Sequence, residues 1–300
     1  MITRVRPALG TLVEVSIAPP DGVDWPLEHA FTVAFAAIDT VQGLMSVHEP
    51  LSDLSQLNGH AHQQPYRPHP WTLAVLRRAL RVYRQSAGLF DCAVAAQCLT
   101  TWQLLPDHSA VAGFTRSSAS ALPDSFDVHQ PATLADVQCL ADGRVHFKRP
   151  LRLDFGGIAK GFAVDMAVLA LYRAGVRRAV VNAGGDLRVL GSHAQEIRVR
   201  HPQNPQQLVL LGELAAGALA TSGVYYSQQT TPDGQTVSAL VQPHSTSQAT
   251  MPTPILAAQS YSVIAPTAIM ADALTKVLAC SQDPQHPALL MYGAQGVVFA

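Results

Sequence analysis

Missing from this chain is any run of about 18 uninterrupted apolar residues, the length a membrane-spanning helix needs, so no span is expected. Missing too is an excess of positive charge. Twenty Lys and Arg stand against 21 Asp and Glu, a formal net charge of -1, which removes the electrostatic footprint of a nucleic-acid binder. The opening Met-Ile-Thr-Arg-Val-Arg-Pro has no apolar core of a signal peptide and no lipoprotein Cys behind it, so a cytoplasmic location is expected. Cysteine is sparse and scattered at Cys92, Cys98, Cys139 and Cys280. Cys92 and Cys98 are too far apart for a CxxC pair and read as apolar fillers. What is present is ample apolar material, 48% of 300 residues, enough for a real core.

Periodicity organises most of the chain. Val13, Val15 and Ile17 alternate with polar neighbours as a strand does, and Ala30 to Met45 repeats at helical spacing. A second helix is predicted over Trp71–Ser86, with Leu73, Leu76, Leu80 and Tyr83 inward and Gly88 placed to stop it. A poorly patterned insertion, rich in Ser, Ala and Pro, is expected around 106–131. Strands are predicted at 145–147 and 151–155, then a helix over Lys160–Ala174 through Phe162, Met166, Leu169 and Tyr172, closed by Gly175. Short strands follow at 179–182, 197–200, 208–211, 237–241 and 260–264. A last helix near 267–280 precedes a strand pair at 289–292 and 297–299. Helices and strands mix without strict alternation, so the expected class is α+β with mostly antiparallel strands in a single domain over 1–300.

The densest chemical signal is Leu153-Asp154-Phe155-Gly156-Gly157-Ile158-Ala159-Lys160-Gly161, followed by Asp165. Glycines ahead of a helix let backbone N–H groups cradle phosphate, and a lysine there adds a charge for the same anion; a tight turn with a surface lysine remains the other reading. The block is neither a Walker A loop nor a dinucleotide GxGxxG. Asn182-Ala183-Gly184-Gly185-Asp186 and Thr221-Ser222-Gly223 are weaker, each readable as a ligand contact or as a plain turn. Asp272 lies in an apolar helix, costly unless the carboxylate is paired, bound to metal, or turned to solvent at the helix edge. His60 and His62 lack a third ligand nearby and read as solvated.

Order and spacing together say more than the blocks singly. Leu9-Gly10-Thr11, Met45-Ser46 with Ser52 to Asn58, Gly88-Leu89-Phe90-Asp91, Leu153 to Gly161 with Asp165, Asn182 to Asp186, Ala220 to Gly223 and Ala271-Asp272-Ala273-Leu274 resemble, in that order, the motifs of the ApbE family of flavin transferases. The resemblance runs from residue 9 to about 280. It implies an FAD:protein FMN transferase, with FAD as substrate, Mg²⁺ at the pyrophosphate, and a partner flavoprotein that accepts FMN on Thr or Ser. Carried over by position, it implies flavin contacts from Leu9, His48, Leu89, Phe90, Asp91, Asp154, Lys160 and Leu240. It further implies metal ligands at Gly157 (by its carbonyl), Asp272 and Thr275, and catalytic roles for Lys160 and Asp272. The alternatives it carries are a flavin-binding homologue without transfer activity and an FAD pyrophosphatase. The sequence departs from the family at Lys276, where a Thr is usual, and at Ala239 to Pro243, which lacks the usual His and Asp. Lys276 lies one turn beyond Asp272, so the two side chains share a face and can pair.

Overall fold

The computed structural model describes residues 1–19, 25–101, 132–204, 206–223, 228–231, 234–243, 252–257 and 259–299. The expected insertion at 106–131 lies outside them. In chain order the elements are β1 (Ile2–Ala8), β2 (Thr11–Ile17), α1 (Leu27–Met45), α2 (Asp53–His60), α3 (Pro70–Gln85), α4 (Cys92–Thr101), β3 (Val137–Cys139), β4 (Val145–Phe147), α5 (Ala159–Arg173), β5 (Ala179–Ala183), β6 (Asp186–Leu190), β7 (Gln195–Arg200), β8 (Leu208–Leu214), β9 (Gly217–Gly223), β10 (Gln228–Thr230), β11 (Thr236–Ser238), β12 (Val241–Gln242), β13 (Thr253–Pro254), β14 (Ser260–Ala265), α6 (Ala268–Ser281), α7 (Pro287–Met291) and β15 (Gln295–Phe299). They fall into two compact units, one of residues 1–42, 156–226 and 257–300, the other of 43–155 and 227–256. The fold is α+β.

The first unit is built on a seven-stranded sheet in the order β1-β2-β5-β6-β9-β14-β15, every neighbouring pair antiparallel. Side chains alternate between its faces. On one face α5 packs on β5 and β6 and α6 on β9 and β14, with the two helices against each other. On the other, the β7–β8 hairpin supplies Ile197, Val199 and Leu214 to a core with Val189 and Leu219. Along β1, Arg4 and Arg6 stack over Phe31 and Phe35 of α1 and pair with Glu28 and Asp39.

Two tight turns sit side by side on this sheet. Leu9 and Gly10 both adopt positive φ (55° and 72°) between paired Ala8 and Thr11, a hairpin geometry that a leucine rarely takes. Gly184 and Gly185 do the same between β5 and β6. A Cβ on Gly184 would lie 2.4 Å from Thr11 Oγ1, so only glycine lets the two turns approach this closely.

In the second unit Ser52 caps α2 through Ser55 N–H, and Leu54 and Leu57 are buried beneath it. Asn58 then uses both ends of its amide on the backbone of Leu153, accepting from its N–H (2.8 Å) and donating to its carbonyl (3.0 Å). Those bonds explain a departure from expectation. Residues 151–155 alternate in burial as a strand would, yet form no strand, because their backbone partners are Asn58 and the Cys92 carbonyl rather than a ladder.

Four further expectations are corrected. The segment 289–292 is not a strand: Pro287 at the first position and the His286 ring, accepting from Ala288 N–H, start the short helix α7. The buried face of α3 carries Thr72, Val75, Leu76, Ala79 and Val82, so Leu73, Leu80 and Tyr83 flank it. In α5 the buried side is Gly161, Ala163, Val164, Asp165, Ala167, Val168 and Leu171, whereas Tyr172 is exposed and Phe162, Met166 and Leu169 are half-buried. Small residues let α5 approach its neighbours, and a nearly all-apolar helix gives no periodic hint of which side that is. His60 closes α2 and, like His62, is half-buried rather than solvated; burial first, then His60 and His146, lower the pKa of His62. Cys92 and Cys98 are buried free thiols, as fillers should be.

Candidate functional site

Asp272 is the centre of the first unit's polar cluster. Eleven of the fourteen residues of α6 are buried, so a carboxylate at this position has no path to water, and the solvent-facing reading fails. Its side chain is 0% exposed and is satisfied from three directions. Oδ1 accepts from Lys276 Nζ at 2.5 Å, one turn along the same helix. Oδ2 accepts from the backbone N–H of Gly161 at 3.0 Å, with Lys160 Nζ 3.7 Å away.

That backbone bond exists because position 161 has no side chain. A Cβ there would come within 2.2 Å of the Ala268 carbonyl oxygen and 2.9 Å of Asp272 Cβ. The glycine-rich turn thus brings the start of α5 against α6. Asp165, one turn further along α5, holds the same contact from the other side. Thr267, at the cap position of α6, makes no side-chain cap bond; Asp165 accepts instead from Ala268 N–H (2.9 Å) and Ile269 N–H (3.0 Å), and pairs with Arg188 of β6 at 2.6 Å.

Lys160, in the first turn of α5, joins Asp272 to the sheet. Its ammonium is bonded to Asp186, the first residue of β6, and its side chain keeps 31% of its surface exposed. The cluster is therefore two carboxylates, Asp186 and Asp272, and two ammonium groups, Lys160 and Lys276. Burial would lower the pKa of Lys160, but Asp186 and Asp272 outweigh it and hold the ammonium above the ordinary lysine range. Burial pushes Asp272 up, and Lys160 and Lys276 more than offset it, so its carboxyl lies below the usual range. Burial and the charge of Asp272 push Asp186 up despite Lys160.

Thr275 is buried and already engaged. Its hydroxyl donates to the Asp272 carbonyl at 2.7 Å, which leaves Ser222, 2.7 Å away at the end of β9, to donate to it. Gly157 lies under the stem of Lys276, whose Cε is 3.1 Å from where a Cβ would stand. Leu9 belongs to the first unit, where its N–H donates to Gln42 Oε1 at 2.6 Å. Within this unit the structure brings together Lys160, Asp272, Gly157 and Thr275 of the expected site residues.

His48, Leu89, Phe90, Asp91, Asp154 and Leu240 belong to the second unit. His48 is exposed just beyond α1, and Leu240 is buried. Ala87 and Gly88 turn through positive φ after α3, and the Phe90 N–H then donates to Ser86 Oγ. Asp91 caps α4, accepting from Ala93 N–H (2.8 Å) and Val94 N–H (3.3 Å), while its other oxygen accepts from Leu134 N–H (3.2 Å). Burial pushes its pKa up to about 7 against those three bonds. Asp154 donates its N–H to the Cys92 carbonyl.

Sequence reading missed three roles: Arg188 as the partner of Asp165, Asp165 as the cap of a distant helix, and Asn58 as the clamp on Leu153. Arg188 carries no local signal, and its strand, β6, is not among those expected from the sequence. A buried Asp in the apolar run after Lys160 was a signal, since such a carboxylate must find amides or a cation.

The model of the ApbE family matches residues 9–298. A Treponema pallidum protein named FAD:protein FMN transferase is 27% identical over 243 residues, 74% of this chain and 64% of that protein. A Vibrio cholerae protein of the same name is 26% identical over 216 residues, 69% of this chain and 61% of that one. The chain thus spans less than two thirds of the length of these relatives. Among solved structures, the ApbE protein of Thermotoga maritima superposes with a TM-score of 0.76 at 22% identity, covering 99% of this chain and 93% of that one. The flavin transferase ApbE of Vibrio cholerae gives 0.73 at 20% identity, covering 99% and 92%. Those structures share the fold, and the family match extends over nearly the whole sequence: this chain belongs to the ApbE family.

Proposed function

We propose that this chain is an FAD:protein FMN transferase, moving FMN from FAD to a Thr or Ser hydroxyl of an acceptor flavoprotein with release of AMP. The observation that carries the reading is the pair of lysines, Lys160 and Lys276, whose partly exposed side chains meet at the glycine-rich start of α5. A helix N-terminus and two fixed cations favour a diphosphate over a neutral ligand. The names of the relatives in Treponema pallidum and Vibrio cholerae supply the reaction.

In that reaction the acceptor oxygen forms a bond to the phosphorus of the FMN half, and the bond from that phosphorus to the bridging oxygen breaks. The electron pair leaves with AMP, and the hydroxyl proton passes to solvent. Lys160 and Lys276 offset the charge that builds on the departing phosphate, and their pairing with buried carboxylates fixes them in place beforehand. Flavin contacts from Leu9, His48, Leu89, Phe90, Asp91, Asp154 and Leu240 are part of the proposal. Asp91 contributes by its place in the turn, since its carboxylate is taken by backbone amides.

The family resemblance carries Mg²⁺ along with FAD. The residues at Asp272 do not fit a divalent ion. One carboxylate oxygen holds an ammonium, the other a backbone N–H, and the Thr275 hydroxyl is bonded on both sides. Among the described residues no group of three His, Cys, Asp or Glu is placed to hold a metal.

The test is incubation with FAD and an acceptor bearing a Thr flavinylation site, followed by in-gel flavin fluorescence and AMP quantification. A fluorescent acceptor band with equimolar AMP is expected. AMP with free FMN and no labelled acceptor would make the chain a pyrophosphatase, and no AMP at all would leave a flavin-binding protein without transfer activity.

A further inference from the structure

We propose that Lys276 is a built-in cation that replaces a divalent metal, so that this chain holds the diphosphate of its dinucleotide without metal. The ligand in this statement rests on the proposed function; the geometry does not.

The ammonium of Lys276 sits where a cation would have to sit to use Asp272. It is 2.5 Å from Oδ1 and 3.1 Å from the Asp272 carbonyl oxygen. The i,i+4 spacing on α6 sets that geometry, and the stem is held across Gly157. In the unliganded protein the charges of this cluster already balance. Asp186 and Asp272 are balanced one for one by Lys160 and Lys276, and a divalent ion would add two positive charges to a neutral, largely buried cluster. Two of the three expected ligands are also engaged, because the carboxylate oxygens of Asp272 and the hydroxyl of Thr275 are already bonded.

The ammonium keeps what the role requires. Two of its three N–H groups serve Asp272, which leaves one for a phosphate oxygen, and its side chain is 21% exposed. Lys160, bonded to Asp186 and 31% exposed, offers a second charge to the same anion.

The experiment compares wild type, Lys276→Thr and Lys276→Arg. FAD affinity is read from flavin fluorescence in EDTA and in Mg²⁺, and Mn²⁺ affinity is read separately by EPR with no flavin present. Wild type is expected to bind FAD with the same affinity in both buffers. Lys276→Thr should lose about tenfold in EDTA, the scale of one charge-assisted contact, and regain it in Mg²⁺. Lys276→Arg keeps the charge and should behave as wild type, which guards against a Thr variant that merely folds poorly. Wild-type affinity that rises about tenfold with Mg²⁺ would overturn the inference, as would Mg²⁺ dependence in Lys276→Arg. Absence of FAD binding in every protein and buffer would overturn the proposed function instead, and the Mn²⁺ measurement then decides alone. Tighter Mn²⁺ binding by Lys276→Thr than by wild type supports replacement of a metal by Lys276; equal binding, or none by either, refutes it.

Discussion

Replacing Lys160 by Met keeps the length of the stem and removes one positive charge from the cluster. Asp186 and Asp272, whose side chains are 4% and 0% exposed, would then share the single ammonium of Lys276, which is bonded to Asp272. Two charges about 4 Å apart interact by about 4 kcal/mol at an effective dielectric constant of about 20. Removing one partner of a buried pair generally costs about 3–5 kcal/mol, a penalty of the same size. The protein can avoid that cost by protonating Asp186, whose pKa burial and Asp272 already raise. The sign follows from linkage. An acid whose folded pKa is raised binds more protons folded than unfolded, so stability falls as pH rises from the unfolded value toward the folded one. Lys160→Met should therefore be close to wild type near pH 4.5 and lose ground at about 1.4 kcal/mol per pH unit until the full penalty is reached. Urea midpoints measured for both proteins between pH 4.5 and 8 provide the assay. A penalty of equal size at every pH would refute the reasoning, because it would mean that Lys160 contributes by packing and not by charge.

Gly161→Ala should destabilise by about 1–3 kcal/mol or more in urea unfolding, because its Cβ would meet the Ala268 carbonyl oxygen and force α5 and α6 apart. Asp165→Asn retains the shape but loses the charge that faces Arg188 and one acceptor for the α6 amides, an expected loss of about 1.5–3 kcal/mol. Asp91→Asn tests a second titration: with the Asp91 pKa raised to about 7, wild-type stability should carry a falling component between about pH 4 and 7 that the variant lacks, visible as a difference in the slope of urea midpoint against pH.

Local patterns in the sequence carried the elements whose burial is one-sided. β2, with Val13, Val15 and Ile17 buried and Leu12 and Glu14 exposed, is legible from alternation alone. Segment 151–155 alternates just as well, and misleads, because alternation reports which side chains are buried and not what the backbone is bonded to. Its backbone partners include an asparagine 95 positions away and the Cys92 carbonyl. α5 misleads for a related reason: its large apolar residues look like the buried stripe, but close helix packing is made by its small ones, Gly161 and Ala163 among them. The mostly antiparallel character of the sheet follows from the lack of strict helix–strand alternation, whereas the adjacency of β6 and β9 has no local signature.

At the site the legible part is what lies within one helical turn. Asp272 and Lys276 are four apart on one helix, so their pairing could be expected from spacing. Asp186 meets Lys160 across 26 positions and Gly161 meets Asp272 across 111, distances that only the folded sheet closes. The glycine block therefore has a role that a reading of phosphate cradles alone would miss. Gly161 spends its N–H on Asp272, and Asp165 spends its carboxylate on the first amides of α6, so the opening turns of each helix are partly satisfied by the other. Those mutual bonds fix the carboxylate of Asp272 before any ligand arrives. A carboxylate so fixed needs a cation, and in this chain one of the cations it has is a side chain on its own helix.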